Sequence, residues 1–141
     1  MTTVSLSWVM TWAQGQFMQM YETLNSQGMW LDQVEAGGIS INGQLYNQPV
    51  CITNNEVIPL SQASIAELNS ADFHTAIRHK PEIILIGTGS QHVFIHPRLT
   101  VELINHGIGV ESMNTEAACR TYMVLKGEGR DVWAWLWPIT D

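Results

Sequence analysis

Apolar positions in the first part of this chain recur near helical spacing. Trp8, Trp12, Phe17, Met20, Tyr21 and Leu24 keep that rhythm, which predicts an amphipathic helix over residues 8–24, weakened at Gly15 and ended near Gly28. The rhythm then shortens to alternation. Ile39-Ser-Ile41 leads into Asn42-Gly43, and Gln44-Leu-Tyr46 returns, a pattern that predicts a β-hairpin. Val50-Cys-Ile-Thr53, Asn54-Asn55 and Glu56-Val-Ile58 repeat the arrangement, with Asn expected to supply the left-handed turn conformation. Between residues 61 and 80 two readings stay open. Ser64 and Glu67 have capping-box spacing, while Ile65 and Leu68 fit an irregular strand equally well. A helix from about Ser70, with Phe73 and Ile77 on one face, has to stop before Pro81.

From Pro81 onward, strand and helix patterns alternate. The aliphatic strand Glu82–Ile86 runs into Gly87-Thr88-Gly89, a tight turn whose backbone is expected to lie open. Open α/β sheets place ligands at such carboxyl ends of strands. Gln91–His96 reads as an extended link. A helix follows from Pro97 to His106, stopped by Gly107, with Val101 and Ile104 on one face and Leu103 close beside them. Ile108–Val110 is a short strand. Asn114 or Thr115 caps a helix through Ala117, Ala118, Tyr122 and Leu125 that ends near Gly127. The last strand is Val132–Trp137, closed by Pro138. Nothing reads as a linker, so residues 31–141 predict a single α/β domain, preceded by a Met/Trp-rich extension over residues 1–30.

Composition sharpens the picture at its surface. Apolar residues make up 45% of the chain and charged residues 13%. That excludes disorder and leaves little charge for a solvated surface, so part of the surface is expected to be covered by a partner or a second copy. The net charge is −7, and no Lys or Arg precedes Arg78. An acidic chain without a basic cluster excludes nucleic acid and anionic membrane surfaces as expected partners. No segment has the length and apolarity of a membrane span, and the first residues lack the basic and apolar character of a secretory signal. A cytoplasmic location is the expectation. Cys51 and Cys119 form no paired motif and read as buried small hydrophobes.

Candidate chemistry is sparse. Gly87 and Gly89 supply two glycines of a dinucleotide fingerprint, and Glu111 lies at an offset suited to a ribose-binding acid. His92 stands where the third glycine belongs, and the next helix starts only at Pro97. The corner is therefore expected to stand clear of any helix amino end, which would deprive a diphosphate of dipole and free amides. His92 and His96 would be far apart on an extended segment, so no metal is expected. No catalytic residue and no cofactor is assigned. Cys119, in an Ala-Ala-Cys run, reads as helix packing. Arg120, Tyr122, Lys126 and Arg130 gather positive charge near one helix and its exit, with Glu116 and Arg120 an i, i+4 pair. Trp133, Trp135 and Trp137 alternate with small or aliphatic residues, which places three indoles on one face of one strand. The N-terminal Met/Trp segment is expected to cover that stripe, in cis or from a second chain in a homo-oligomer.

Ile39-Ser-Ile-Asn-Gly-Gln-Leu-Tyr46, Pro81-Glu-Ile-Ile-Leu-Ile-Gly-Thr-Gly89, Gly107-Ile-Gly-Val-Glu111, Asn114-Thr-Glu-Ala-Ala-Cys-Arg-Thr-Tyr122 and Gly127-Glu-Gly-Arg130 occur in an order that resembles the Mth938-like domain family. That family of small α/β domains includes a mitochondrial respiratory complex I assembly factor. The resemblance covers residues 35–138. It implies a three-layer fold with a central mixed β-sheet flanked by helices, consistent with hairpins followed by an α/β alternation. It also implies a non-catalytic role, helping a membrane respiratory complex assemble. Two functions stay open: a protein-interaction domain, and a small-molecule, nucleotide or anion binder or enzyme using the Gly87–Gly89 turn. Candidate binding residues for either are Gly87, Thr88, Gly89, Arg120, Tyr122 and Arg130.

Overall fold

Asn42 and Gly43 both adopt left-handed backbone conformations, with φ of 53° and 86°, as a two-residue hairpin turn requires. Around them β2 (Gly38–Ile41) and β3 (Gln44–Tyr46) pair antiparallel, and β1 (Leu31–Val34) joins the other side of β2. These strands form a small sheet of their own. The computed structural model describes residues 31–34 and 38–139. The helix expected over residues 8–24 lies outside them, as does any contact it makes.

The main sheet holds β4 (Val50–Ile52), β5 (Val57–Pro59), β6 (Ile83–Thr88), β7 (Gly109–Met113) and β8 (Val132–Trp137), in the order β5-β4-β8-β6-β7. β6 is parallel to both β7 and β8, whereas β4 is antiparallel to β8 and β5. The sheet is therefore mixed, as expected. Among the described residues three helices accompany it: α1 (His74–His79), α2 (Pro97–Asn105) and α3 (Thr115–Gly127). α3 and the small sheet pack on one face, around Leu85, Ala134, Leu136 and Tyr122. α1, α2 and two 3-10 turns, Ile65–Glu67 and Ser70–Phe73, cover the other, around Ile84, Ile86, Phe73 and the indoles of β8. The result is three layers about one central sheet.

Local differences from the sequence expectation have local causes. The β4–β5 connection does not use left-handed Asn, since neither Asn54 nor Asn55 has positive φ. A longer turn closes it, with Thr53 N–H donating to Glu56 O and Glu56 N–H to Thr53 Oγ1. The segment at 61–80 begins with the 3-10 turn capped by Ser64. Asn69 and Asp72 then form a capping box that opens the turn into α1. Lys80, at φ 53°, ends α1 just before Pro81. β6 continues past Ile86 through Gly87 and Thr88, because parallel neighbours pair with it on both sides. α2 turns Leu103 and Thr100 into the core and leaves Val101 and Ile104 outward.

Candidate functional site

The corner after β6 is built by two polar anchors, Thr88 and Thr115, and two glycines. The Thr88 hydroxyl donates to Gln91 O at 2.6 Å and accepts from Val93 N–H at 3.0 Å, which folds the following loop back over the strand end. Thr115, the first residue of α3, accepts from Gly89 N–H at 2.7 Å through its hydroxyl and donates to Trp137 O. Its own N–H donates to Gly89 O at 2.8 Å. One buried threonine thus ties the ends of β6 and β8 to the start of α3. Gly89 has φ of 94° and suits the turn. Gly87 serves a different need. A Cβ there would lie 2.9 Å from Leu136 Cδ2 and 3.1 Å from both Ala118 Cβ and the Thr115 Cα, so glycine lets α3 approach the sheet.

Two expectations are corrected by this arrangement. The backbone of the corner does not lie open, since Gly87, Thr88 and Gly89 are all buried. Nor does the corner stand clear of every helix amino end. It abuts α3, which follows α2 and β7 along the chain, because β7 runs parallel beside β6 and returns the chain to the same edge. The consequence for a diphosphate is nevertheless unfavourable. The Thr115 amide is committed to Gly89 and the Ala117 amide to the Asn114 side chain. Glu111, the ribose-acid candidate, is exposed on edge strand β7.

Beside the corner lies a cleft of about 600 Å³. Thr88, Gly89 and the β8 end, Trp137 and Pro138, form one part of its wall, and the 3-10 turn at Ser64–Ala66 forms another. Trp137 is fixed by its indole N–H, which donates to Gln62 O at 3.1 Å. Asn47, Ser90 and Gln91 offer amide and hydroxyl groups at the lining, and none of the lining residues has an acidic or basic side chain. Sequence reasoning found Thr88 and Gly89 but not Asn47, Ser64 or Gln91. Ser64 announced itself only as a cap, and the others are polar loop residues with no distinctive spacing.

The remaining candidates are not brought to this place. Arg130 bonds Glu82 at 3.0 Å, at the opposite end of β6, about 20 Å from Gly89 along the strand. Arg120 is exposed on α3 and pairs with Glu116 at 3.4 Å. Tyr122 is wholly buried against the sheet, and its hydroxyl has no hydrogen-bond partner among the described residues. Burial raises its phenol above the ordinary range, with Cys51 and Asp131 adding to the shift. Lys126 is also buried; its ammonium donates to Asn54 Oδ1 at 3.3 Å, and desolvation lowers its pKa against the opposing pull of Asp131. Cys51 and Cys119 are both buried, on opposite faces of the sheet. His92 bonds Ser112, and His96 caps α2. The indole stripe is not an uncovered patch: Phe73 packs on Trp135 and His79 on Trp133, with ring centroids 5.0 and 5.4 Å apart.

Three comparisons bear on this geometry. Residues 31–137 match the profile of a family described as "Protein of unknown function (DUF498/DUF598)". A curated relative from Rattus norvegicus, "NADH dehydrogenase [ubiquinone] 1 alpha subcomplex assembly factor 3", is 28% identical over 114 residues. The match takes in 79% of this chain and 62% of that relative, so the chain spans about three fifths of its length. A "13 kDa major membrane protein" of Francisella tularensis is 28% identical over 98 residues, 68% of this chain and 80% of that protein. The solution structure of a Bordetella pertussis protein, described as a Mth938-like domain, superposes with a TM-score of 0.71 at 24% identity. It covers 84% of this chain and 89% of that one, and establishes the likeness of fold.

Proposed function

From the premise that this chain belongs to the DUF498/DUF598 family of proteins of unknown function, we propose that it is a non-catalytic interaction domain that helps assemble a respiratory membrane complex. Its docking surface is the cleft beside Gly89. The similarity to a complex I assembly factor supports the assembly role. The observation that carries the docking reading is the cleft's lining, which is apolar with scattered amides and hydroxyls and has no acidic or basic side chain. Such a lining suits a segment of another protein, whose main chain can bond amides while its side chains fill apolar space. It does not suit an anion, which needs a cation or free amides. Among the described residues no helix is long and apolar enough to cross a membrane.

The test is a cell whose own copy carries Ala66→Arg. Ala66 is exposed on the 3-10 turn at the cleft, so the substitution puts bulk and charge into the opening without touching the core. Assembled NADH dehydrogenase in native gels of the membrane fraction should fall to the level of a strain lacking the gene. Wild-type levels, with the variant folded by circular dichroism, would refute the docking site. The rival, a small-molecule or anion site, predicts thermal stabilisation by organic anions or nucleotides. A ligand at one hundred times its dissociation constant would add about 2.7 kcal/mol.

A further inference from the structure

We infer that the outward face of α2 is a self-association surface on which a second copy of this chain packs across a two-fold axis. The surface is separate from the cleft and does not depend on the assembly role.

α2 is amphipathic in an unusual sense. Thr100 and Leu103 are buried, yet Val101 and Ile104 are large apolar side chains left 49% and 58% exposed. Pro97, Val101 and Ile104 follow i, i+4, i+7 spacing, which puts them on one stripe within about 60° of each other around the helix. The stripe points away from the core. At its entry Phe94 is 75% exposed, the most exposed of the large apolar side chains described. An apolar stripe of that period is the form a helix takes when it packs on another helix.

The charges beside the stripe point to the occupant. Arg98 and Glu102 lie on the same flank of it, four residues apart. Arg98 makes no ion pair among the described residues, unlike Arg120 and Arg130. Among the described residues Glu102 pairs only with His74, at 3.6 Å, and its side chain is 49% exposed. When two copies of one helix pack antiparallel about a two-fold axis, like flanks face each other in reverse order. An axis near Thr100 then sets Arg98 of each copy against Glu102 of the other, while Ile104 of one meets Pro97 of the other. The flank is self-complementary in that arrangement. A lipid surface would leave Glu102 unmatched, and the net charge of −7 opposes an anionic membrane. The open edge at β7 is a poorer route to self-association: antiparallel pairing about its centre would oppose Glu111 to its own copy.

A helix of this length reaches only about 14 Å, so the interface is smaller than the roughly 800 Å² per partner of a standard complex, and the dimer is reversible. Sedimentation of the full chain over a roughly hundredfold concentration range should therefore show the average mass rising from monomer toward dimer. Val101→Glu, at an exposed position that leaves the core intact, should weaken association by about tenfold or more. Arg98→Glu should weaken it by about three- to thirtyfold, since the axis counts each ion pair twice. The double exchange Arg98→Glu with Glu102→Arg should restore it. A chain that stays monomeric throughout would overturn the inference. So would a dimer indifferent to Val101→Glu, or a double exchange that fails to restore association. Vesicle binding lost with Val101→Glu, in a chain that is otherwise monomeric, would assign the face to a membrane instead.

Discussion

On β8, Trp133, Trp135 and Trp137 pack toward α1 and α2, while Val132, Ala134 and Leu136 pack toward α3 and the small sheet. The two faces of this sheet reach a buried core by different means. The indole face fills its space with large rings that lean on each other and on Phe73. The α3 face removes side-chain volume so that helix and sheet can approach closely, with Gly87, Ala118 and Ala134 at the contact. The first should tolerate loss of volume badly. The second should tolerate its gain badly.

Trp135→Ala is the strongest way to break that comparison. It empties the centre of the indole face and should cost about 3–5 kcal/mol in chemical denaturation; a loss below about 1 kcal/mol would show that the rings are not the core. Gly87→Ala should cost about 1–3 kcal/mol by overpacking, since the nearest atoms include the α3 backbone and the Ala118 Cβ, which cannot rotate away. If thermal unfolding of that variant matches wild type, close approach is not what glycine provides there.

Alkaline pH separates the faces next. Burial on the indole face pushes the Cys51 thiol from its ordinary 9.0 up to about 12. The folded state then holds this proton to higher pH than the unfolded chain. Its contribution is complete below about pH 9 and is lost as pH rises toward 12. Cys51→Ala should flatten the decline in stability between those values by about 1 kcal/mol per pH unit. An unchanged slope would transfer the effect to Tyr122, whose raised phenol acts in the same direction on the other face. The smallest effect belongs to Tyr122→Phe. Its hydroxyl is buried with no hydrogen-bond partner among the described residues, so removal should shift stability by no more than about 1 kcal/mol, toward greater stability. A larger loss would reveal a hydrogen bond at that oxygen.

Much of the architecture was legible in the order of residues, because local rules suffice for it. Asn42-Gly43 specifies its hairpin, Pro97 and Gly107 bracket α2, Asn114 caps α3, and period two places the β8 indoles together. The site was less legible. Thr88 and Gly89 were visible from the strand end, but their burial follows from α3 closing over them. The basic residues near α3 looked like one surface, yet Arg130 sits at the far end of β6 because the chain reverses through α3 before reaching it. Phe73 and His79, far from β8 along the chain, pack on two of the indoles, and the cover expected from residues 1–30 lies outside the described residues. Sequence by itself determined the elements, their ends and which side chains share a face, since those depend on neighbours a few positions away. Only the tertiary structure decided which faces meet, what reaches the cleft, and that α2 turns Leu103 inward and Val101 outward, because burial depends on contacts between segments distant along the chain.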